Sequence, residues 1–406
     1  MRHTGPPAGS IALLLGLILL LPAVCAAQDD LGWRRAHEAG QLALSDGNFD
    51  EADKQLRLAV AEAETFGALD DRLAQSLSEL ARVRVRLSDL EEAERLLDRA
   101  LAIRQKGPGS AEAQLASTYE QLASVCARRG EHAKAAASYE HALEILERTL
   151  GPGHANLVVF LDRLAASYKA LGRSADAVRV LKRSLSLIET SEGQDSPALV
   201  PNLRRLARLY ESQGNDAQAE PLYKRVVTIE EKTGGKDYPY AATALNDLGQ
   251  CRYRQGKYAE AEASYDKALD LLEKALGPSH VDVASVLTNL AALRETQGKF
   301  ADAEPLYKRS LAILEKVLGP SHEELAAPLN NLAALYYRQG QLEKAEPLYK
   351  RALAIWEKTL DPKDPRLATC LENYAALLKK TGREQEAARM QARAARIRAG
   401  QARPGS

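Results

Sequence analysis

Apolar residues recur along this chain at helical spacing. Between Val281 and Gln297, the residues Val283, Val286, Leu287, Leu290, Ala291 and Leu293 form one stripe, with polar residues between them. Such a stripe predicts an amphipathic helix rather than an alternating strand. Gly298 follows and supplies the left-handed residue that ends a helix. A second helix is predicted from Asp302 to Leu318, and Gly319-Pro320 breaks it. Ser321 or His322 opens the next pair, so the local unit is a helical hairpin.

The hairpin repeats. Gly130, Gly172, Gly214, Gly256, Gly298, Gly340 and Gly382 are spaced by 42 residues, with Ser88 and Gly47 continuing the series upstream. Five residues after each of these points stands an alanine: Ala52, Ala93, Ala135, Ala177, Ala219, Ala261, Ala303, Ala345 and Ala387. A leucine column, Leu122 to Leu332, lies eight residues before the glycine, and a small-residue column containing Ala123, Gly249 and Ala375 lies seven before it. A third column, Tyr139, Leu181, Tyr223, Tyr265, Tyr307 and Tyr349, lies nine after it. Small residues at fixed places let two helices approach closely, and large ones fill the space beside them.

One hairpin cannot bury both faces of its helices, so neighbours must stack into a continuous core. The predicted fold class is all-α: a right-handed α-solenoid of about nine helix-turn-helix repeats over residues 28–398. The units fall near 31–67, 68–108, 109–151, 152–193, 194–235, 236–277, 278–319, 320–361 and 362–398. The first carries Ala39-Gly40 in the Leu-Ala columns and the last carries Gln391 in the Tyr column. Atypical end units are expected of caps. Residues 399–406 read as a disordered tail.

The first 27 residues are a separate object. Arg2 and His3 precede an apolar run from Ile11 to Leu21, followed by Pro22 and Ala23-Val24-Cys25-Ala26-Ala27. This is the order of a secretory signal peptide, with cleavage after Ala26 or Ala27. The apolar run is about half as long as a membrane-spanning helix requires. An uncleaved signal anchor and lipidation at Cys25 are the alternatives. Pro22 and Val24 depart from the aliphatic and small residues that a lipidation site wants before its Cys.

Composition narrows the function. Lys plus Arg and Asp plus Glu both number 55, so the formal net charge is zero. Bulk attraction to nucleic acid or anionic lipid is not expected. Cys126, Cys251 and Cys370 share no metal-binding or redox spacing. Cys251 stands in a column of leucines, which predicts a buried thiol. His154, His280 and His322 recur just before first helices, where a capping role is expected. There is no nucleophile elbow, phosphate loop or His-Glu-x-x-His motif. Pro221, Pro305 and Pro347 stand near the start of second helices, where a missing amide does little harm. Neither catalysis nor a cofactor is expected.

The phrases Leu329-Asn330-Asn331-Leu332-Ala333 and Ala345-Glu346-Pro347-Leu348-Tyr349-Lys350-Arg351-Ala352-Leu353 resemble tetratricopeptide repeats. The 42-residue length, with Leu-Gly-Pro-x-His joints at Leu276–His280 and Leu318–His322, is similar to the kinesin-light-chain type. Three joints depart, offering Asp195, Asp237 and Asp364 as helix caps instead. The resemblance implies that first helices line a concave groove and that the residue nine before the glycine grips a ligand backbone. That column reads Gln121, Arg163, Arg205, Asp247, Asn289, Asn331 and Asn373. The role carries over to Asn289, Asn331 and Asn373, with Asn246 beside them. Arg163, Arg204, Arg205 and Arg208 suggest a basic pocket for an acidic segment, or a ladder neutralised by Asp162, Asp247 and nearby glutamates. Tyr253 and Tyr337 are candidate aromatic anchors.

The expected function is a non-enzymatic, extracytoplasmic scaffold, periplasmic or secreted, that takes a protein or peptide in its groove. A structural spacer or self-assembling envelope component is the alternative. The expected partner is a peptide or protein and not nucleic acid, with no membrane span after leader cleavage and with a monomer or weak self-association.

Overall fold

A computed structural model describes residues 30–107, 111–234 and 239–401. The expected signal segment lies outside the described residues. The described residues form eighteen α-helices and one 3-10 turn, with no strand among them. They divide between two compact units, Met1–Gly193 and Gln194–Ser406.

The first unit contains α1 (30–45), α2 (Phe49–Glu64), α3 (Asp71–Arg86), α4 (Leu90–Lys106), α5 (Glu112–Arg128), α6 (His132–Leu150), α7 (Leu157–Ala170) and α8 (Ser174–Glu192). The second contains α9 (Leu199–Ser212), α10 (Asp216–Gly234), α11 (Pro239–Arg254), α12 (Tyr258–Leu276), α13 (Val281–Thr296) and α14 (Phe300–Leu318). It continues through α15 (Ala326–Arg338), α16 (Leu342–Thr359), α17 (Pro365–Lys380) and α18 (Glu384–Gln401). The turn Glu323–Leu325 leads into α15. Within each unit, odd-numbered first helices and even-numbered second helices form stacked hairpins, the α-solenoid arrangement. Helix α14 begins at Phe300, one half-turn before the Asp302 start that the sequence suggests, and α18 runs past Arg398 to Gln401, into the expected tail.

The small column faces the large column inside each hairpin. A Cβ added at Gly249 would lie 2.5 Å from Tyr265 Cε1, and one added at Gly40 would lie 2.6 Å from Leu56 Cγ. The two degenerate positions are therefore points of closest approach. Tyr223, Tyr265, Tyr307 and Tyr349 are among the largest fully buried side chains.

Successive hairpins are clamped by a recurring pair on their second helices. Arg183 holds Glu147, Lys267 holds Glu231, Arg309 holds Glu273, Arg351 holds Glu315 and Arg393 holds Glu357, each across 36 residues. The same arginines reach back to the joint carbonyls: Arg183 to Pro152 at 3.2 Å, Arg309 to Pro278 at 3.3 Å and Arg351 to Pro320 at 2.7 Å. These pairs are partly exposed, so each contributes about 0.2–1 kcal/mol. Their role is mainly to fix register.

The joints use several caps. His154, His280 and His322 accept through Nδ1 from the amide two residues on, at 3.2, 3.3 and 3.4 Å. Asp364 caps α17 by accepting from the Arg366 amide at 2.8 Å. Asp195 does not cap; it pairs with Lys232 at 2.6 Å, and Ser196 accepts from the Ala198 amide instead. Asp237 lies outside the described residues. The turns between helices of a hairpin need positive φ: Gly298 sits at 75°. Ser88 fills the same role at 63°, a strained conformation for a residue with a Cβ. Ser88→Gly is expected to stabilise the first unit by about 1 kcal/mol, read as a higher urea midpoint at unchanged slope.

Candidate protein-interaction face

The candidate residues lie on the first helices, and two kinds of rung join several neighbouring first helices, one kind within each unit and the other in the second unit alone. The inner set connects the residue ten before a turn glycine to the residue nine before the next one. In the first unit, Glu120 of α5 pairs with Arg163 of α7. In the second, Arg204 of α9 faces Asp247 of α11 at 3.9 Å. Asn289 Nδ2 on α13 donates to Asn246 Oδ1 on α11 at 2.8 Å, and Asn373 Nδ2 on α17 donates to Asn330 Oδ1 on α15 at 3.3 Å. The outer set lies about two turns further along: Arg254 on Glu211, the Tyr253 hydroxyl with Thr296 Oγ1 at 2.7 Å, and Arg338 with Glu295 at 3.4 Å. Lys380 Nζ stands 5.0 Å above the Tyr337 ring.

These rungs redistribute the roles expected from sequence. Asn246 is buried and serves as a support for Asn289 rather than a ligand contact. Tyr253 and Tyr337 are half-buried and tie neighbouring helices together. Arg163 belongs to the first unit and is neutralised by Glu120. Arg205 donates to Asn202 Oδ1 at 3.0 Å. Arg204 is largely buried, and its Nε and Nη2 lack hydrogen-bond partners, as does Asp247 Oδ2. Arg208 remains exposed. Within the second unit, Arg204 and Arg208 both pull on the Asp247 carboxyl, which offsets part of their charge. Asn330 went unmarked in the sequence, although it shares a repeat column with Asn246.

Asn289, Asn331 and Asn373 do form a set. They are half-buried on α13, α15 and α17, with Ala292, Ala334 and Ala376 one turn along the same face. Asn331 Oδ1 accepts from Asn330 Nδ2 at 3.5 Å. Asn289 Oδ1, Asn331 Nδ2 and Asn373 Oδ1 are left without partners among the described residues. The strip offers both acceptors and a donor, beside side chains small enough to let a backbone approach.

The acids between repeats are shifted in opposite directions. Burial raises Asp247 and Glu230, against the opposing pull of Arg204. Burial also raises Glu295, while Arg338 and the Tyr307 hydroxyl, 3.1 Å away, oppose it. Burial would raise Glu220 too, but hydrogen bonds from Lys224, Lys257, Arg252 and Gln255 outweigh it and bring it to about 2. Two groupings bring metal-type ligand atoms within 4.8 Å: Glu94, Cys126 and Glu131, and Glu211, Asp216 and Cys251. Their carboxylates already carry cations, Glu94 from Arg129 and Lys134, and Glu211 and Asp216 from Arg254. Burial pushes the Cys126 and Cys370 thiols up to about 12, so they are inert packing groups.

Stacked helical hairpins with a polar first-helix face define a repeat protein of the protein-interaction type. A family model for the tetratricopeptide repeat matches residues 35–106, 114–190, 198–274, 240–316 and 324–399, so the chain belongs to the tetratricopeptide repeat family. BtubC (BKLC) from P. vanneervenii is 27% identical, with 61% of this chain and 94% of that one covered at a TM-score of 0.47. A putative kinesin light chain with nearly identical TPR-like repeats from Podosopora anserina is 25% identical, with 52% and 99% covered at a TM-score of 0.42. The apo form of RapI is 15% identical, with 90% and 97% covered at a TM-score of 0.60, a likeness of fold. No curated protein matches this chain. No helix among the described residues is long and apolar enough to cross a membrane.

Glu220 sets a pH dependence. Its folded value lies below its ordinary 4.5, so its contribution is present above that value and is lost as the pH falls toward 2. Glu220→Gln is expected to lower stability at pH 7. The gap from the parent chain should close between pH 4.5 and 2 in denaturation curves taken across that range.

Proposed function

We propose that this chain is a non-enzymatic protein-interaction scaffold that acts outside the cytoplasm. It holds an extended segment of a partner protein on the first-helix face of its second unit. The observation that carries the reading is the asparagine strip: three amides in register, each with an unused polar atom and each beside an alanine. An extended backbone presents an N–H and a C=O at every residue, and an amide can meet either.

Export is the reading of residues 1–27, from the charged start, short apolar run and small-residue exit.

Two measurements test the proposal. Crosslinking capture from envelope extract should yield a partner band. The Asn289→Ala, Asn331→Ala, Asn373→Ala triple variant should bind that partner roughly tenfold or more weakly, since each lost hydrogen bond costs about 0.5–1.5 kcal/mol. Equal binding by the variant would remove the strip from the interaction. Intact-mass analysis of protein from the native host should show a chain beginning at Ala27 or Gln28; a retained leader or a lipid adduct on Cys25 would overturn cleavage and release.

A further inference from the structure

A cavity of about 440 Å³ opens between the second helices α6 and α8 of the first unit, over α7. We infer that it is a docking site for a lysine or arginine side chain of a partner protein. The alkyl stem lies on the cavity floor and the cationic head sits between Glu140 and Glu144.

The floor is apolar. Leu143 of α6, Leu161 and Leu164 of α7 and Val180 of α8 line it, all of them buried in the repeat stack. Lysine and arginine lay their methylene stems along such a surface and keep the charged head toward water. The volume falls within the usual range of ligand sites, about 300–1,000 Å³.

Charge selects the sign of the head group. The arginines on the lining are already engaged. Arg183 pairs with Glu147 and donates to the Pro152 carbonyl at 3.2 Å. Arg173 and Arg179 share Asp176, at 2.8 and 3.1 Å, and the Arg173 guanidinium stacks 4.3 Å above the Tyr168 ring. The acids of α6 are not matched in this way. Glu140 accepts from the Tyr168 hydroxyl, a neutral donor that leaves its charge in place. Glu144 makes no ion pair among the described residues. A basic residue four places on would ordinarily relieve it, but Arg148 is held by Glu112 at 2.7 Å. Glu140 and Glu144 are exposed, one turn apart on the same wall, and repel each other. A cation placed between them satisfies both, whereas a carboxylate is repelled.

This wall belongs to one hairpin. The place of Glu144 is taken by Ser186, Thr228, Ala312 and Ala354 in other repeats. Asp270, also an acid at that place, is matched by Lys274 at 2.7 Å. The unmatched carboxylates and the apolar floor are separate features, and they meet only here.

Methyl NMR of the full chain tests the inference, with the signals of Leu143, Leu161, Leu164 and Val180 as reporters. The probes are the capped peptide Gly-Ser-Lys-Ser-Gly and its arginine counterpart. Both should shift the floor signals saturably, and counterparts with norleucine or glutamate at the central position should leave them unmoved. Glu144→Lys should weaken the lysine peptide at least tenfold. Glu144→Gln, which keeps the size and removes only the charge, should weaken it severalfold at an unchanged urea midpoint. Added salt should weaken it too. The Asn289, Asn331 and Asn373 alanine variant should bind it unchanged, which separates this site from the strip in the second unit. The inference is overturned if the floor signals do not move, if the norleucine or glutamate peptide moves them equally, or if both Glu144 variants bind as the parent does. Putrescine binding more tightly than the lysine peptide would also overturn it, by making the ligand a free polyamine.

Discussion

Everything in this protein depends on the contact between the small column of each first helix and the large column of the second. Where that contact is tightest, Gly249 lies under the Tyr265 ring and Gly40 under Leu56, with no room for a further carbon. A hairpin closed this way buries one stripe of each helix and leaves the rest to its neighbours. Stability therefore belongs to the stack and not to any single hairpin. The fully buried tyrosines also bring a hydroxyl into the core, and Tyr307 meets the need for a partner by donating to the buried Glu295. That glutamate in turn reaches Arg338 of the following hairpin. The packing contact and the polar link between repeats are thus physically continuous.

Two kinds of polar link hold neighbouring repeats in register. On the second helices, Arg or Lys grips a glutamate of the preceding hairpin, and several of the arginines also grip its joint carbonyl. On the first helices, the rungs vary in chemistry while keeping their geometry: opposite charges at Glu120–Arg163, amides at Asn246–Asn289 and Asn330–Asn373. Opposite charges satisfy one another and leave little for a ligand. An amide has a donor and an acceptor end, so a rung made of amides uses one end and presents the other. This difference leaves the asparagine strip with unused polar ends, and makes the charged rungs part of the frame.

The two units offer different surfaces from the same repeat. In the second, alanines beside the asparagines give a smooth face on which an extended backbone can lie. In the first, Leu44, Phe49 and Val85 form the apolar floor of a cavity. The same repeat thus presents chemically different first-helix faces with no change of fold.

The sequence by itself determined the hairpin, its length and its stacking. The turn glycines, the alanine column and the tyrosine column are local requirements, and their 42-residue spacing is visible without coordinates. It also showed which face of the first helices is polar and marked Asn289, Asn331 and Asn373. Only the tertiary structure decided which side chain each polar residue meets. The rung partners lie 43 residues apart, one residue out of step with the repeat, because the superposed helices are offset by about one position. A comparison of equivalent columns therefore grouped Arg163 and Arg205 as like charges, when the first pairs with Glu120 and the second bonds Asn202. Arg204 and Arg205 are adjacent in sequence, yet one is largely buried and the other exposed, because neighbouring helical residues point about 100° apart. The cavity floored by Leu44, Phe49 and Val85 was invisible for the same reason: its lining comes from six helices, α1 to α5 and α7, and none of them alone encloses a space.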